Sequence, residues 1–360
     1  MTKRYSQHVN VPQLGVMVGT DDLQPSSEDR VFHTLLCEIG EQLGIHVFLF
    51  SPYQWKPGSS TLNGLHYDTS TKRWESAPYS LPKLIYDRSF FTSHTSYRLH
   101  RLAFQKMQKF QRIPLLSHGL PGKYEVLKEL AKQKHILQYL PPTALLSDLA
   151  ILPPLLHSKQ AIFLKPEAGT HGQGTVYIKM SKDRVCQVNA RNSKNQSETH
   201  SFFSIPATLT WLRTFIGTRR YLVQPYLSLT TQADDAYDVR VLVQKDFHGR
   251  WQTTGMAVRQ GQSGSMTSNL HGGGNALAVE PFLMQQFSTA YAQSLIDQLT
   301  VLALTIPPIL EQRYGCLCEL GIDCGIDQQG KLWMIEVNSK PGRSIFLKMG
   351  EKSNYLASIR

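Results

Sequence analysis

Two Asp-x-x-Gly segments in the last third of the sequence, at 246–249 and 327–330, most constrain how this chain can fold. Each separates two runs of strand-forming residues in which apolar and polar side chains alternate. Turn residues between alternating runs are typical of a β-hairpin with one apolar and one polar face. The sequence therefore predicts two antiparallel hairpins, each with ionisable side chains gathered on one face.

The second hairpin carries a candidate metal site. A four-residue loop at 327–330 would set Asp323 opposite Met334. Strand alternation then puts Asp323 on the same face as Glu336 and Asn338. Two carboxylates and a carboxamide oxygen are hard ligands of the kind that Mg²⁺ binds. The alternative is that these polar side chains are simply solvated.

The first hairpin carries candidate anion-binding arginines. A four-residue loop at 246–249 would set Asp238 opposite Ala257, so that Asp238, Arg240 and Arg259 share one face. Two guanidinium groups side by side can hold a phosphoryl or carboxylate group through paired hydrogen bonds. The alternative is a surface ion pair between Asp238 and Arg259.

A glycine-rich segment at 163–174 lies between two further predicted strands. It contains Gly169, Gly172 and Gly174, and Lys165 closes the first strand. Glycines let backbone N–H groups approach phosphate oxygens, and a lysine adds positive charge. The segment lacks the Gly-Lys-Ser/Thr ending of a Walker loop and is followed by a strand, so a flexible β-hairpin is the alternative.

The distribution of charge favours a polyanionic ligand. The formal net charge is +11, of which residues 121–230 supply +8 and residues 231–360 supply −1. A basic region beside carboxylates that could hold a cation suggests a metal-bound polyanion such as a nucleoside triphosphate. Nucleic acid is the rival ligand of a basic chain, but no RNP, zinc-finger or helix-turn-helix pattern supports it.

Other features indicate a cytoplasmic protein without a membrane-spanning segment. We find no apolar run of the length that a membrane helix needs and no signal-peptide core at the start of the sequence. The five cysteines form no CxxC pair, which fits a reducing compartment without disulfides.

Strand and helix patterns predict a small α/β unit with a parallel sheet over the first 115 residues. We expect 51–82 to be a long surface loop, and 189–201 to be an exposed, mobile insert. The apolar helix that passes through Leu295 and Leu302 should end or kink at Pro307-Pro308.

Together, these segments resemble the ATP-grasp superfamily, and in particular its YheC/YheD group of endospore coat-associated proteins. The stretches that carry the resemblance are LKPEAGTHGQG (164–174), YDVRVLVQKDFHGRWQTTGMAVR (237–259), SMTSNLHGGG (265–274) and LCELGIDCGIDQQGKLWMIEVNSKPGR (317–343). The resemblance implies an α/β (α+β) chain with an ATP-grasp fold, in which two α+β subdomains enclose the nucleotide. It implies a pre-ATP-grasp α/β domain at 1–115, a small lid subdomain with the glycine-rich loop at 116–225, and a large subdomain with the Mg²⁺ site at 226–360.

The resemblance also implies a role for each candidate site residue. Lys123 and Lys165 would contact the phosphates of ATP under the glycine-rich loop. Asp323, Glu336 and Asn338 would hold one or two Mg²⁺ ions, with Mn²⁺ as an alternative. The remaining roles are a hinge beside the adenine (Gln224, Pro225, Tyr226, Leu227), a ribose-binding acid (Asp234 or Asp235), arginines at the transferred phosphoryl group (Arg240, Arg259) and the acceptor pocket (Asn269 and the glycines after it).

The function implied is ATP-dependent ligation of a carboxylate to an amine through an acyl phosphate. The substrate would be an amino acid, a peptide or a cell-envelope or spore precursor. The alternative is a non-catalytic spore-coat-associated protein that keeps nucleotide binding, with coat proteins as partners and a spore-associated location.

Overall fold

In the computed structural model, which describes residues 12–20, 23, 27–91, 93–169, 172–262, 268 and 274–359, strand and helix alternate along most of the chain. The strands are β1 (Gln13–Met17), β2 (His46–Phe50), β3 (Thr61–Asp68), β4 (Arg73–Ser80), β5 (Leu84–Asp87), β6 (Ala144–Leu145), β7 (Ala161–Pro166), β8 (Val176–Met180), β9 (Cys186–Arg191), β10 (Ser197–Phe202), β11 (Tyr221–Pro225), β12 (Tyr237–Lys245), β13 (Trp251–Gln260), β14 (Asn275–Leu277), β15 (Glu319–Ile326) and β16 (Leu332–Asn338). The helices are α1 (Ser27–Gln42), α2 (His94–Phe110), α3 (Lys123–Leu130), α4 (Lys134–Leu137), α5 (Leu152–Lys159), α6 (Ile205–Ile216), α7 (Val279–Gln286), α8 (Thr289–Tyr314), α9 (Ser344–Lys348) and α10 (Lys352–Ala357).

The chain forms two compact units. The first contains the residues up to 119 together with 315–318 and the segment from 351, and the second contains 120–314 and 319–350. The first unit holds one sheet and the second holds two, so the division of the second unit into subdomains at 225/226 stays a prediction.

The sheet of the first unit has the strand order β4-β3-β2-β1-β5. Both β2 and β5 pair with β1 in parallel, which confirms the predicted parallel sheet. The prediction of a long loop at 51–82 was wrong, because β3 and β4 form an antiparallel hairpin there. Leu62 and Leu65 on β3 are buried, so this glycine- and serine-containing stretch still contributes to the core.

The first sheet of the second unit has the order β10-β9-β8-β7-β11-β6. Its core includes Leu164 and Val223 from the sheet and Leu156 and Leu212 from helices α5 and α6. The expected mobile insert at 189–201 instead belongs to the antiparallel pair β9 and β10 at the edge of this sheet. Cross-strand pairing gives this polar stretch a regular structure that its composition alone did not indicate.

The second sheet of this unit has the order β14-β13-β12-β15-β16. One of its faces is apolar and packs against α7 and α8. Helix α8 runs through Pro307 and Pro308 to Tyr314, so the prediction that these prolines end it was wrong. Burial of Leu302, Ile306 and Leu310 accounts for the helix continuing across the two missing N–H groups.

Helix α8 is also the one helix, among the described residues, that is long and apolar enough to cross a membrane by length and composition. The sequence expectation that no segment reaches that length is therefore corrected. The helix contacts β12, β13, β15 and β16, and the core helix of a folded domain passes the same test of length and composition.

Both predicted hairpins form, but five residues instead of the expected four separate the last paired residues of their strands. Ile326 pairs with Leu332 and Lys245 pairs with Trp251. In each loop the aspartate Oδ1 accepts two backbone N–H groups, and the closing glycine has a positive φ, +75° at Gly249 and +80° at Gly330. Glycine adopts this conformation without steric cost, which makes a loop of this geometry possible.

The pairing of β12 with β13 also shifts beyond Leu242, where a bulge lies. Asp238 therefore lies opposite Arg259 instead of the expected Ala257, which pairs with Arg240. The cross-strand register differs from the expected one by two residues. Because side chains on a strand alternate with a period of two, Asp238, Arg240 and Arg259 still share one face, as predicted.

A second bulge explains how β16 presents its polar residues. Cys324 pairs with Met334 but Asp323 pairs with Glu336, so Ile335 is the extra residue of β16. The expected pairing of Asp323 with Met334 was wrong, and Met334 lies on the buried face. The bulge turns Glu336 to the face that carries Asp323.

The two loop glycines provide a matched test of this geometry. A methyl group at Gly249 meets nothing within 4 Å, so Gly249→Ala should lower the free energy of unfolding only by the cost of positive φ, about 1–2 kcal/mol. A methyl group at Gly330 would overlap the ring of Tyr291, which is partly exposed and can shift, so Gly330→Ala should cost roughly 0.5–1.5 kcal/mol more. Urea unfolding of the two variants measures the difference, and equal losses would contradict the packing described.

Candidate functional site: a charged face on the second sheet of the second unit

A buried carboxylate, Asp323, lies at the centre of the polar face of this sheet. Arg240 on the neighbouring strand β12 donates from Nε and Nη2 to both of its oxygens, the second bond being 2.9 Å long. Arg259 Nη2 lies 3.0 Å from Asp323 Oδ2, and Asn338 Nδ2 donates to the same oxygen at 3.3 Å. Burial alone would raise the pKa of Asp323, but the two guanidinium groups lower it to about 2. Asp323 is therefore held ionised.

Asp238 fixes the position of Arg259. The two side chains share a bidentate pair with N–O distances of 2.6 and 2.8 Å. The hydroxyl of Ser268 also donates to Asp238. Asp238 thus connects Arg259 with the segment that follows β13. The sequence suggested a surface ion pair for Asp238, but the residue is buried, with 6% of its surface exposed.

Two lysines reach β16 from different elements. Lys123, the first residue of α3, places its Nζ 3.2 Å from Glu336 Oε2. Lys165 on β7 donates from Nζ to the backbone oxygen of Ile335 at 3.3 Å. Burial lowers the pKa of Lys165 to about 8, and the ammonium of Lys123 adds to this effect against the opposing influence of Glu336 and Asp323. The region is therefore rich in cations that a bound anion would stabilise.

We refer to Asp238, Arg240, Arg259, Asp323, Glu336 and Asn338, together with Lys123 and Lys165, as the charged face. Four of these side chains are formally cationic and three are anionic. The prediction that each hairpin gathers its ionisable residues on one face is confirmed, and the structure adds that the two hairpins are neighbours in one sheet. The pairing of Asp323 with both arginines was not predicted, because it depends on β12 and β15 being neighbours.

The oxygen donors of the charged face fit a hard divalent cation. Asp323 and Glu336 lie directly opposite each other, and Asn338 contacts Asp323 through Nδ2, which leaves its carbonyl oxygen for another partner. Carboxylate and carboxamide oxygens are the donors that Mg²⁺ prefers. Among the described residues, no group of three or more His, Cys, Asp or Glu side chains is placed to hold a metal ion, so the candidate site depends on the Asn338 oxygen as well as on two carboxylates.

The residues predicted to form a hinge beside the adenine lie at the end of β11. Strand β6 pairs with β11 only at Leu222 and Val223, so Gln224 and Pro225 have β7 as their one neighbouring strand in the described sheet. The Gln224 side chain is committed to Thr143 Oγ1 at 2.6 Å. A ligand at the hinge would therefore meet backbone groups of Gln224, Pro225, Tyr226 and Leu227 more readily than the Gln224 amide.

Local contacts place Tyr226 and the two candidates for a ribose-binding acid, Asp234 and Asp235. Tyr226 packs edge-to-face on Tyr177 with ring centroids 4.5 Å apart. Burial raises the pKa of Tyr226, and the carboxylate of Asp234 raises it further, so Asp234 lies near the hinge. Asp235, the other candidate for a ribose-binding acid, accepts a hydrogen bond from Gln260 instead.

The glycine-rich segment joins β7 to β8, as predicted, and its described part is anchored at both ends. Glu167 forms an ion pair with Arg220 at 3.0 Å. At the other end, Gly174 donates to the Arg191 oxygen at 2.8 Å and accepts from the Tyr221 hydroxyl at 2.7 Å. Gly169 and Gly172 lie between these anchors. Asn269, the predicted acceptor-pocket residue, lies outside the described residues.

The arrangement of the second unit is that of an ATP-grasp fold, with mixed α+β content and two sheets joined by the Lys165 contact. A family model described as "YheC/D like ATP-grasp" matches residues 112–360. The chain belongs to this family, and the resemblance inferred from the sequence is confirmed.

Two curated relatives come from Bacillus subtilis (strain 168). The endospore coat-associated protein YheC is 27% identical over 314 residues, which cover 87% of this chain and 85% of YheC. The endospore coat-associated protein YheD is 28% identical over 357 residues, which cover 94% of this chain and 75% of YheD.

Solved structures show the same fold at lower sequence identity. The D-cycloserine synthetase DcsG has a TM-score of 0.55 and 14% identity, with 96% of this chain and 98% of DcsG covered. The ATP-grasp ligase PsnB in complex with a minimal precursor has a TM-score of 0.53 and 13% identity, with 98% of this chain and all of that chain covered. At these identities the similarity establishes the fold alone.

The lowered pKa of Lys165 can be measured directly. With lysine labelled at ¹³Cε, one NMR signal should titrate with a midpoint near pH 8, because burial disfavours the ammonium form, while exposed lysines titrate near about 10.4. That signal should be absent from Lys165→Gln and present in the matched surface variant Lys179→Gln. A spectrum in which every lysine titrates above about pH 10 would contradict the assignment.

Proposed function

We propose that the chain is an ATP- and Mg²⁺-dependent ligase that joins a carboxylate to an amine through an acyl phosphate. The observation that carries the proposal is the convergence of Lys123 and Lys165 on the strand that bears Glu336, beside the arginine-paired Asp323. Four cations and three carboxylates on one face suit a metal-bound triphosphate better than a neutral ligand.

In this proposal Lys123 and Lys165 hold the phosphates of ATP. The glycine-rich segment with Gly169, Gly172 and Gly174 closes over them, and its N–H groups add hydrogen bonds. The adenine lies against the hinge residues Gln224 to Leu227, and Asp234 accepts from the ribose hydroxyls. The proximity of Asp234 to Tyr226 supports its choice over Asp235.

The metal-binding residues are Asp323, Glu336 and Asn338, which would hold one or two Mg²⁺ ions. Bound Mg²⁺ would neutralise negative charge on the phosphates. Arg240 and Arg259 would also neutralise negative charge, and they would do so at the transferred phosphoryl group. Asn269, which lies outside the described residues, is assigned from the sequence alone to the binding of the amine acceptor.

The reaction needs no nucleophile from the protein. A carboxylate oxygen of the substrate attacks the γ-phosphorus, and the bond from that phosphorus to ADP breaks, which yields an acyl phosphate. The amine then attacks the carbonyl carbon, the bond from that carbon to the phosphate oxygen breaks, and the amine proton leaves with inorganic phosphate. The charged face orients the reactants and stabilises the charge that develops. The carboxylate belongs to an amino acid, a peptide or a cell-envelope or spore precursor.

Release of ADP tests the proposal. Wild-type protein with Mg·ATP should release ADP in the presence of one pool of amino acids or short peptides, and dividing that pool identifies the substrate. Glu336→Gln should lower the rate by roughly 10²-fold or more, because it removes a carboxylate from the metal site and from Lys123. The matched control Glu280→Gln changes an exposed glutamate of α7 and should leave the rate unchanged.

Nucleotide binding separates the two functions left open by the family. Calorimetry should show that wild-type protein binds Mg·ATP. Binding without ADP release against any pool would favour the non-catalytic, coat-associated alternative, which the names of the Bacillus subtilis relatives suggest. A failure to bind nucleotide would contradict both functions.

Asp238 should act as a positioning residue for Arg259. Asp238→Asn keeps the size of the side chain but removes the charge that holds the guanidinium. We expect kcat to fall by roughly 10–10²-fold with little change in the KM for ATP, because only the transferred phosphoryl group depends on Arg259. Asp238→Glu should recover part of the loss. An equal loss of ATP binding would instead indicate a general disturbance of the site.

A further inference from the structure

A long segment of the first unit contains no acidic residue. The 32 residues from Arg88 to Gly119 contain six lysines and arginines and no aspartate or glutamate. Helix α2 lies within this segment and carries four of these cations, and a fifth follows at Arg112. The charged face of the second unit uses none of them. This segment therefore has a charge pattern that the proposed ligase does not explain.

Helix α2 buries only a narrow side. His100 and Met107 are its buried residues, and they lie two turns apart on the side that faces the unit. The cations of the opposite side are all exposed: Arg98, Arg101, Lys106, Lys109 and, just past the helix, Arg112. We call these five residues the α2 basic face.

The α2 basic face is not neutralised within the described chain. No ion pair or hydrogen bond joins any of its five side chains to a carboxylate in the ranges that the structure describes. Elsewhere, exposed lysines on helices do have such partners, as Lys128 and Lys132 have on or beside α3. Like charges at neighbouring helical positions repel each other, so this arrangement is unfavourable without a partner.

Apolar side chains lie among these cations. Leu102 is 45% exposed and falls between Arg98 and Lys109 on the helix surface. Leu99 on the same helix is 52% exposed. A partner that only neutralised charge would leave both leucines in water, whereas a partner with apolar groups of its own would also bury them.

We infer that the α2 basic face binds an acidic polypeptide segment that carries apolar residues at helical spacing. The carboxylates of such a segment would pair with Arg98, Arg101 and Lys109, and its apolar side chains would cover Leu102 and Leu99. This inference concerns the first unit and does not depend on the proposed ligase activity.

Charge and shape favour an acidic polypeptide over the two other kinds of polyanion, a nucleic acid and an anionic membrane surface. A nucleic acid backbone offers phosphates at regular spacing but nothing that would bury Leu102 and Leu99. A membrane surface is reached by a helix whose apolar side is free, and here the side with His100 and Met107 is already buried in its own unit. The leucines that remain are flanked by cations.

Binding of defined probes to the full chain tests the inference. The main probe is a synthetic peptide of about 20 residues with Glu and Leu at helical spacing, and a second peptide replaces each Leu by Ser. Fluorescence anisotropy should show that the Glu/Leu peptide binds more tightly than the Glu/Ser peptide. The triple variant Arg98→Gln, Arg101→Gln, Lys109→Gln should weaken binding by roughly 10–100-fold, as the loss of three exposed ion pairs implies.

A matched variant controls for net charge. Lys179→Gln, Lys182→Gln, Lys194→Gln removes three exposed cations of the second unit and should leave peptide binding within about twofold of wild type. Leu102→Ser should weaken binding of the Glu/Leu peptide but not of the Glu/Ser peptide. Circular dichroism and Mg·ATP binding check that each variant is folded.

Other results would overturn the inference. Equal weakening by both triple variants would show that only net charge matters. Tighter binding of a single-stranded oligonucleotide of equal charge, lost in the α2 variant, would assign the face to nucleic acid. Binding to anionic vesicles but not to the peptides would assign it to a membrane. If no probe binds at low salt, the α2 basic face is merely solvated.

Discussion

Asp323 is kept ionised inside the second unit by Arg240 and Arg259, and the polar face of the sheet depends on this interaction. A buried carboxylate without partners would be strongly destabilising, and so would either guanidinium group left alone. The pairs run across β13, β12 and β15, so they also fix how these strands are aligned. The opposite face of the same strands is apolar and packs against helices. One sheet thereby supplies both a core and a charged surface.

The two lysines add positive charge that the carboxylates do not fully balance. Glu336 pairs with Lys123, while Lys165 Nζ donates to a backbone oxygen and has a lowered pKa. Such a buried amine gains more from a neighbouring anion than an exposed amine would, because water no longer screens the interaction. The contact between β7 and β16 thus brings the glycine-rich segment and the charged face to a common position for an anionic ligand.

The sequence predicted which residues share the polar face but not how they pair. Alternation along β12 and β16 was enough to group Asp238 with Arg259 and Asp323 with Glu336. The cross-strand pairs were wrong because loop length depends on the αL glycines, and because the bulge at Ile335 has no clear sequence signal. The pairing of Asp323 with Arg240 joins residues 83 positions apart, so it required the strand order. The edge hairpins β3–β4 and β9–β10 were missed because their polar composition hides the alternation.

The oxygens that the arginines now engage are also those that a divalent cation would need in the proposed reaction. A cation that arrived alone would have to displace guanidinium groups from Asp323 without giving them a new acceptor. Phosphates that arrive with the cation would offer Arg240 and Arg259 oxygens of comparable basicity and geometry. The loss of one charge-assisted contact would then be offset by the gain of another. The arrangement therefore favours joint binding of metal and nucleotide over binding of the metal alone.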